Sequence, residues 1–377
     1  MTVLFFKAAI LFLGLFYSFR IGRYYLGLLR LQPGTASEQP TIEVLIPARN
    51  EEENIEACVL SVLNQTYPTK RFHVTVIDDH STDHTAEIVE HLADSWPGRL
   101  SLLRYTDAQP HQAYKKAAIQ FGIEHTQSEL IATMDADCTA QPTWLATLAR
   151  HFEPDVGMVS GYILIDPKAE KTLFHKIQSL EFLGLVTTGA GAIGLGKPVI
   201  SNGANLSYRR AVFEEVDGFR DIDHLPSGDD DLLMQKIHRL TRWKVRFAFE
   251  KSGHNFTRPV PTLRAFLNQR TRWASKSAHY RSPSLVFFLV SVYFFYLLLF
   301  LSPVWIAVGI PSGWLALGFL LKWLPDFAVV HKGAQLTGRK DLLPYFLLAQ
   351  FFQIPYILWV GVKGLGGNYE WKGRAIR

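Results

Sequence analysis

A chain of 377 residues that is 48% hydrophobic and 19% charged is too apolar for a plain soluble enzyme and too charged for a pure transporter. Its net charge of +5 does not mark a nucleic-acid binder, because the basic residues crowd beside apolar segments. Arg20, Arg23 and Arg30 follow the first such segment, and Arg264, Arg270, Arg272, Lys276 and Arg281 precede the second, as on the cytoplasmic flanks of membrane spans. Two cysteines, Cys58 and Cys138, make neither a disulfide framework nor a structural zinc site.

Residues 3–29 are almost wholly apolar and long enough to cross a bilayer. Their length, the arginines near their end and the lack of a close small-residue cleavage site favour an uncleaved anchor, assigned to 1–30, over a signal peptide. A polar linker over 32–40 follows. From residue 41 short β-rich runs (42–46, 73–77, 100–103 and 130–134) alternate with helical patterns (52–64, 84–93 and 112–124). This predicts an α/β domain over 41–282 with a mostly parallel sheet, binding ligands outside the carboxyl ends of its strands. After Pro283 the segment 285–310 reads as a span. The segment 314–330 reads as a shorter one, interrupted by Lys322, Pro325 and Asp326, which are expected to face the bundle interior. The segment 342–362 is a third. Together these form a membrane or interfacial region over 283–364, followed by a basic tail over 365–377. With the middle domain inside, three full later spans put the C-terminus outside, against Lys363, Lys372, Arg374 and Arg377. Either the last segment lies in the interface or 314–330 fails to span.

Polar motifs fall at the strand ends. Pro47-Ala48-Arg49-Asn50-Glu51-Glu52 closes the first strand, and Asn50 there suits a helix cap. Asp78-Asp79-His80-Ser81-Thr82-Asp83 ends the second, and two carboxylates there need partners. The spacing of His80 and His84 is read as coincidental. Asp135-Ala136-Asp137 follows the fourth run; two carboxylates on one side of an extended chain suit a divalent cation, Mg²⁺ or Mn²⁺. Asp229, Asp230 and Asp231 precede an apolar helix, and one of them is placed to act as a general base. Gln269-Arg270-Thr271-Arg272-Trp273 unites a phosphate-binding side chain with an aromatic one beside the membrane, where a plain interfacial anchor also fits. Gly189-Ala-Gly191-Ala-Ile-Gly194 matches a dinucleotide fingerprint by letters alone; no strand precedes it and Pro198 follows, so it is read as a loop.

Taken together, P-A-R-N-E, D-D-x-S-x-D, D-A-D, G-D-D and Q-x-x-R-W resemble the membrane-bound inverting family 2 glycosyltransferases, the group of cellulose, hyaluronan, poly-N-acetylglucosamine and ceramide-glucosyl synthases. The resemblance covers residues 41–273. It implies an A-type, Rossmann-like nucleotide-diphospho-sugar transferase domain flanked by transmembrane helices, in an integral protein of a bacterial inner membrane that builds envelope glycan. It also implies roles. Pro47, Arg49, Glu51, Asp78, Asp79 and Asp135 would border the donor nucleotide, and Lys115 and Arg272 its diphosphate. Asp137, with Asp135, would hold the metal. Asp230 would be the base, with Asp229 beside it where many relatives have Glu. Gln269, Trp273, Asn202 and Asn205 would face the acceptor.

The expected reaction moves a sugar from a nucleotide diphosphate, UDP foremost, to a lipid or glycan hydroxyl. A processive polysaccharide synthase is the alternative enzyme, and a catalytically dead, membrane-tethered nucleotide-sugar-binding protein the alternative without chemistry.

Overall fold

The computed structural model describes residues 2–106, 114–366, 369–371 and 374–376. A long helix, α1 (Thr2–Leu28), comes first. Then follow β1 (Ile42–Ala48), α2 (Ile55–Leu63), β2 (Phe72–Asp78), α3 (Thr85–Ser95), β3 (Leu100–Arg104), α4 (Tyr114–Glu124) and β4 (Leu130–Thr133). The domain continues through β5 (Thr139–Ala140), α5 (Trp144–Arg150), β6 (Val156–Gly161), β7 (Ile163–Ile165), α6 (Leu173–Gly194), β8 (Leu206–Arg209) and α7 (Arg210–Glu215). It ends with α8 (Asp231–Leu240), β9 (Lys244–Ala248), β10 (Asn255–Thr257) and α9 (Leu263–Ser275). Helices α10 (Pro283–Phe300), α11 (Ser302–Ala307), α12 (Ser312–Thr337) and α13 (Phe346–Leu365) follow, and two short antiparallel strands, Tyr369–Trp371 and Arg374–Ile376, come last among the described residues. Positions 112 and 113 of the expected helix over 112–124, and Lys372 and Arg377 of the basic tail, lie outside the described residues.

The main sheet runs β3-β2-β1-β4-β8-β6-β9, and a small one runs β5-β10-β7. Strands β3 to β4 are parallel, as expected from strand–helix alternation. β8 lies antiparallel to β4 and β6, so the sheet is mixed. β1, β2 and β4 are buried almost throughout, which explains their near-continuous apolar runs. The acid inside β1, Glu43, accepts hydrogen bonds from Thr75 (2.7 Å) and Thr126 (2.8 Å) and meets His73 Nδ1 at 2.8 Å. These partners outweigh its burial and hold its carboxyl below the usual range.

The expected loop at Gly189–Gly194 is instead the last part of helix α6. Its glycines serve packing. A Cβ on Gly191 would lie 2.3 Å from the Tyr24 carbonyl oxygen, and one on Gly27 would lie 1.9 Å from that of Gly191. Only bare backbones let α1 and α6 cross this closely, the small-residue contact common between membrane helices. A glycine cluster in a sequence thus read as a break when it is an interface.

Among the described residues four helices are long and apolar enough to cross a membrane: Val3–Leu28, Pro283–Phe300, Ser312–Thr337 and Lys340–Leu365, the last including the 3₁₀ turn before α13. The expected span over 285–310 is divided, because Pro303 cannot continue the hydrogen-bond ladder of α10 into α11. The span over 314–330 is longer than expected, with Pro325 accommodated inside α12. Lys322 and Asp326 pair at 2.9 Å in the bundle interior, as their i, i+4 spacing allows. Lys322 also donates to Gln350 and to Gln353 (2.8 Å), and Tyr17 donates to Asp326 at 2.6 Å. This network ties α1, α12 and α13 together.

Valine at Gly191 forces α1 and α6 apart. The expected cost is about 1–3 kcal/mol, read as a lower midpoint of thermal unfolding in detergent. An unchanged midpoint would contradict the close crossing.

Candidate active site

Ala48 lies beside Asp78 across β1 and β2, and Leu45 beside Thr133 across β1 and β4. Parallel pairing therefore brings three polar strand ends to one edge of the sheet. The loops there are laced together. Arg49 Nη1 donates to the Asp79 carbonyl oxygen (2.8 Å), and Glu51 N donates to Thr85 Oγ1 (2.8 Å). Asn50 does not cap α2. It adopts φ 52°, a left-handed conformation that asparagine tolerates, and its Oδ1 accepts from Thr82 N at 2.9 Å. His80 and His84 meet Asp79 (2.9 Å) and Glu52 (2.8 Å) respectively, so they form no ligand pair.

A cavity of about 270 Å³ opens at this edge. Pro47, Arg49, Glu51, Asp79, Lys115, Asp135 and Asp137 line it. Asn202, Asp229, Asp230, Gln269, Arg272 and Trp273 line it too. Two residues expected at the site lie elsewhere. Asp78 faces its own loop and accepts from Ser81 N (3.3 Å). Asn205 is wholly buried: its Nδ2 donates to the carbonyls of Tyr162 (2.8 Å) and Gly253 (2.9 Å), and its Oδ1 accepts from Trp144 Nε1 (2.9 Å).

Two ammonium groups order the acids. Lys115 Nζ sits 2.7 Å from Asp135 and 2.8 Å from Asp229. Burial alone would lower its pKa, but the two carboxylates raise it above the ordinary lysine value, so it stays charged. Gly203 makes room for this pair, since a Cβ there would fall 2.7 Å from Asp229 Oδ2 and 2.8 Å from Lys115 Nζ. Lys276 Nζ lies 3.1 Å from both Asp230 Oδ1 and Asp231 Oδ2. Asp230 caps α8 by accepting from Asp231 N (2.7 Å) and also accepts from Gly203 N (3.3 Å). Burial opposes its charge, but Lys276 and these donors hold its carboxyl below the usual range. Asp231 is pushed the other way by burial and by the neighbouring Asp230 charge, although Tyr280 donates to its Oδ2 (2.8 Å).

Lys276, Tyr280, Arg270 and Glu181 were not legible as site residues. Lys276 and Arg270 are masked in the sequence by a basic run that reads as a membrane flank. The signal for Lys276 was the acid triplet itself, which needs a buried counter-charge. Arg270 is the buried arginine of the Gln269–Trp273 motif. Its Nη2 meets Glu181 at 2.5 Å, its Nη1 donates to Gln269 Oε1 (2.7 Å), and its guanidinium lies 4.1 Å from the Trp273 ring centroid. Tyr356 of α13 donates to the other Glu181 oxygen (2.5 Å). A latch thus runs from α13 through α6 to the cavity wall on α9.

The residues fit a divalent cation. Asp135, Asp137 and Cys138 offer ligand atoms within 4.8 Å of one another. The carboxylate oxygens suit a hard ion. Cys138, whose thiol burial raises well above its ordinary value, donates instead to Asp137 Oδ1 at 3.4 Å.

Residues 43–217 match the family described as glycosyl transferase family 2. The chain is 30% identical over 234 residues to the glycosyltransferase AglE of Haloferax volcanii, an alignment covering 60% of this chain and 70% of that one. The chain belongs to glycosyl transferase family 2. This family 2 glycosyltransferase is also 29% identical over 237 residues to a beta-monoglucosyldiacylglycerol synthase of Nostoc, covering 62% of its own length and 48% of that relative. The mannosyltransferase PcManGT of Pyrobaculum calidifontis, solved with GDP-Man and Mn²⁺, superposes with a TM-score of 0.57 at 20% identity, over 96% of this chain and 95% of that one. The A-type fold expected from the motifs is therefore the fold observed. The chain is a family 2 glycosyltransferase.

Glu181→Gln strands the buried Arg270 guanidinium. The expected loss of stability is about 3–5 kcal/mol, with partial recovery when Arg270→Met is added. Denaturant unfolding of both variants checks it; a neutral single variant would contradict the latch.

Proposed function

We propose that this glycosyltransferase moves a sugar from a UDP-sugar to a lipid or short-glycan hydroxyl at a membrane, in one inverting displacement. The observation that carries the reading is the meeting of Asp79, Asp137 and Asp230, from three separate segments, around one cavity. In this reading Arg49, Glu51 and Asp79 border the base, and Lys115 and Arg272 face the diphosphate. Asp135 and Asp137 would hold a Mg²⁺ or Mn²⁺ ion, whose charge would offset that of the leaving diphosphate. Asp230 takes the proton of the acceptor hydroxyl as its oxygen attacks the anomeric carbon. The N-cap position and Lys276 keep Asp230 ionised before the acceptor arrives. A single attack inverts the anomeric centre and leaves no covalent sugar on the enzyme. Gln269 and Trp273 face the acceptor side, with Trp273 held by the Arg270 guanidinium. The acceptor is assigned to the bilayer because four helices among the described residues are long and apolar enough to cross one.

Membranes containing the protein, supplied with radiolabelled UDP- or GDP-sugars and Mn²⁺, are expected to label an extractable product of one added sugar with a UDP donor. Asp230→Asn is expected to retain donor binding and lose transfer by about 10²–10⁴-fold, the range for a general base. Substantial transfer by that variant would refute the role, and a ladder of long products would refute single addition.

The pH profile gives a second check. The Lys276 cation lowers the Asp230 pKa, so the base form persists to low pH. Lys276→Gln removes that cation and raises the pKa. The acid limb of kcat is then expected to move to higher pH; an unmoved limb would separate Asp230 from the titration that sets the rate.

A further inference from the structure

A second cavity, of about 470 Å³, shares no lining residue with the first. It lies where two of the long apolar helices meet the sheet domain. Arg20 and Arg23 reach it from the last turns of α1, and Arg281 and Ser284 from the entry to α10. Lys236 and Arg239 of α8 line it as well, together with Lys197. Among the described residues the only acid in this lining is Asp221.

Most of this charge is uncommitted. Lys236 donates to the carbonyls of Gly218 (2.9 Å) and Arg220 (2.7 Å), and Arg20 to Ser284 Oγ (3.1 Å). Arg23, Lys197, Arg239 and Arg281 form no ion pair among the described residues. Apolar surface lies beside them: Leu195, Leu232 and Leu285 line the cavity, and Phe19, Val286 and Phe287 are exposed on the adjoining helices. Uncompensated guanidinium groups suit a phosphate, which they bind through paired N–H donors. Flanking apolar helix surface suits a hydrocarbon chain carried by that phosphate. A free anion would have no use for that surface.

We propose that this cavity binds the phosphate head group of an anionic bilayer lipid, held by Arg23, Arg239 and Arg281, with its chains along α1 and α10. Basic pockets beside membrane helices take such head groups. The bound lipid fixes α8 relative to the bilayer. Asp230 and Asp231 at the start of α8 line the first cavity, and Arg239 near its end lines the second. The inference rests on reading the four long helices as membrane spans and on nothing in the transfer reaction.

The test is native mass spectrometry of the full chain in mild detergent, titrated with phosphatidylglycerol or phosphatidylcholine. Phosphatidylglycerol is expected to be retained about tenfold better. The double variant Arg239→Gln, Arg281→Gln is expected to lose that preference, and Asp221→Asn, which removes the opposing charge, to strengthen it. Millimolar inorganic phosphate is expected to leave the lipid in place. Equal retention of the two lipids, an unchanged preference in the double variant, or displacement by inorganic phosphate would each overturn the lipid site. Retention of neither lipid would overturn it together with the membrane reading.

Discussion

Carboxylates crowded around one cavity repel one another, and the architecture of this enzyme is organised around relieving that repulsion. Asp79, Asp135, Asp137, Asp229, Asp230 and Asp231 face one space, brought there by strand ends and by the start of α8. Two buried ammonium groups answer them, and each bridges two acids. Lys115 on α4 joins the end of β4 to the segment before α8. Lys276, just past α9, joins that helix to the first residues of α8. Removing either cation would leave two acids without their shared counter-charge, so the electrostatics of the site also hold its walls in place. Asp135 and Asp137 still form a carboxylate pair suited to a further cation.

Helix α6 connects this site to the long apolar helices. It packs against α1, α12 and α13 on one side. On the other, its Gln178, Phe182, Leu185 and Val186 line the cavity. Glu181 on the same helix takes Arg270 from α9 and Tyr356 from α13. One wall of the site is therefore built on the bundle, which is the arrangement a lipid-borne acceptor would require.

The strand ends were legible because β1, β2 and β4 are buried on both faces. A buried parallel strand shows as an apolar run, and a polar motif that interrupts it marks the sheet edge. Asp79 and Asp137 could be assigned to one edge on that ground. Asp230 entered through motif resemblance. Less was legible where one residue type serves two purposes. The glycines of α6 look like a loop because flexibility and close packing both call for a missing side chain. Arg270 and Lys276 look like membrane flank because their partners, Glu181 and the acid triplet, are distant in sequence. Asn50 has the composition of a helix cap, yet its side chain binds the neighbouring loop. Asn205 sits in a polar motif but spends every hydrogen bond on the fold.

In the proposed reaction the acid pair at the end of β4 becomes tolerable through a cation shared with the donor diphosphate. Calorimetric titration of UDP, with and without Mn²⁺, on the wild-type chain and on Asp137→Asn tests it most directly. Mn²⁺ is expected to tighten nucleotide binding to the wild type and to have little effect on the variant. Equal affinities with and without the ion, or an undiminished ion effect in Asp137→Asn, would contradict it.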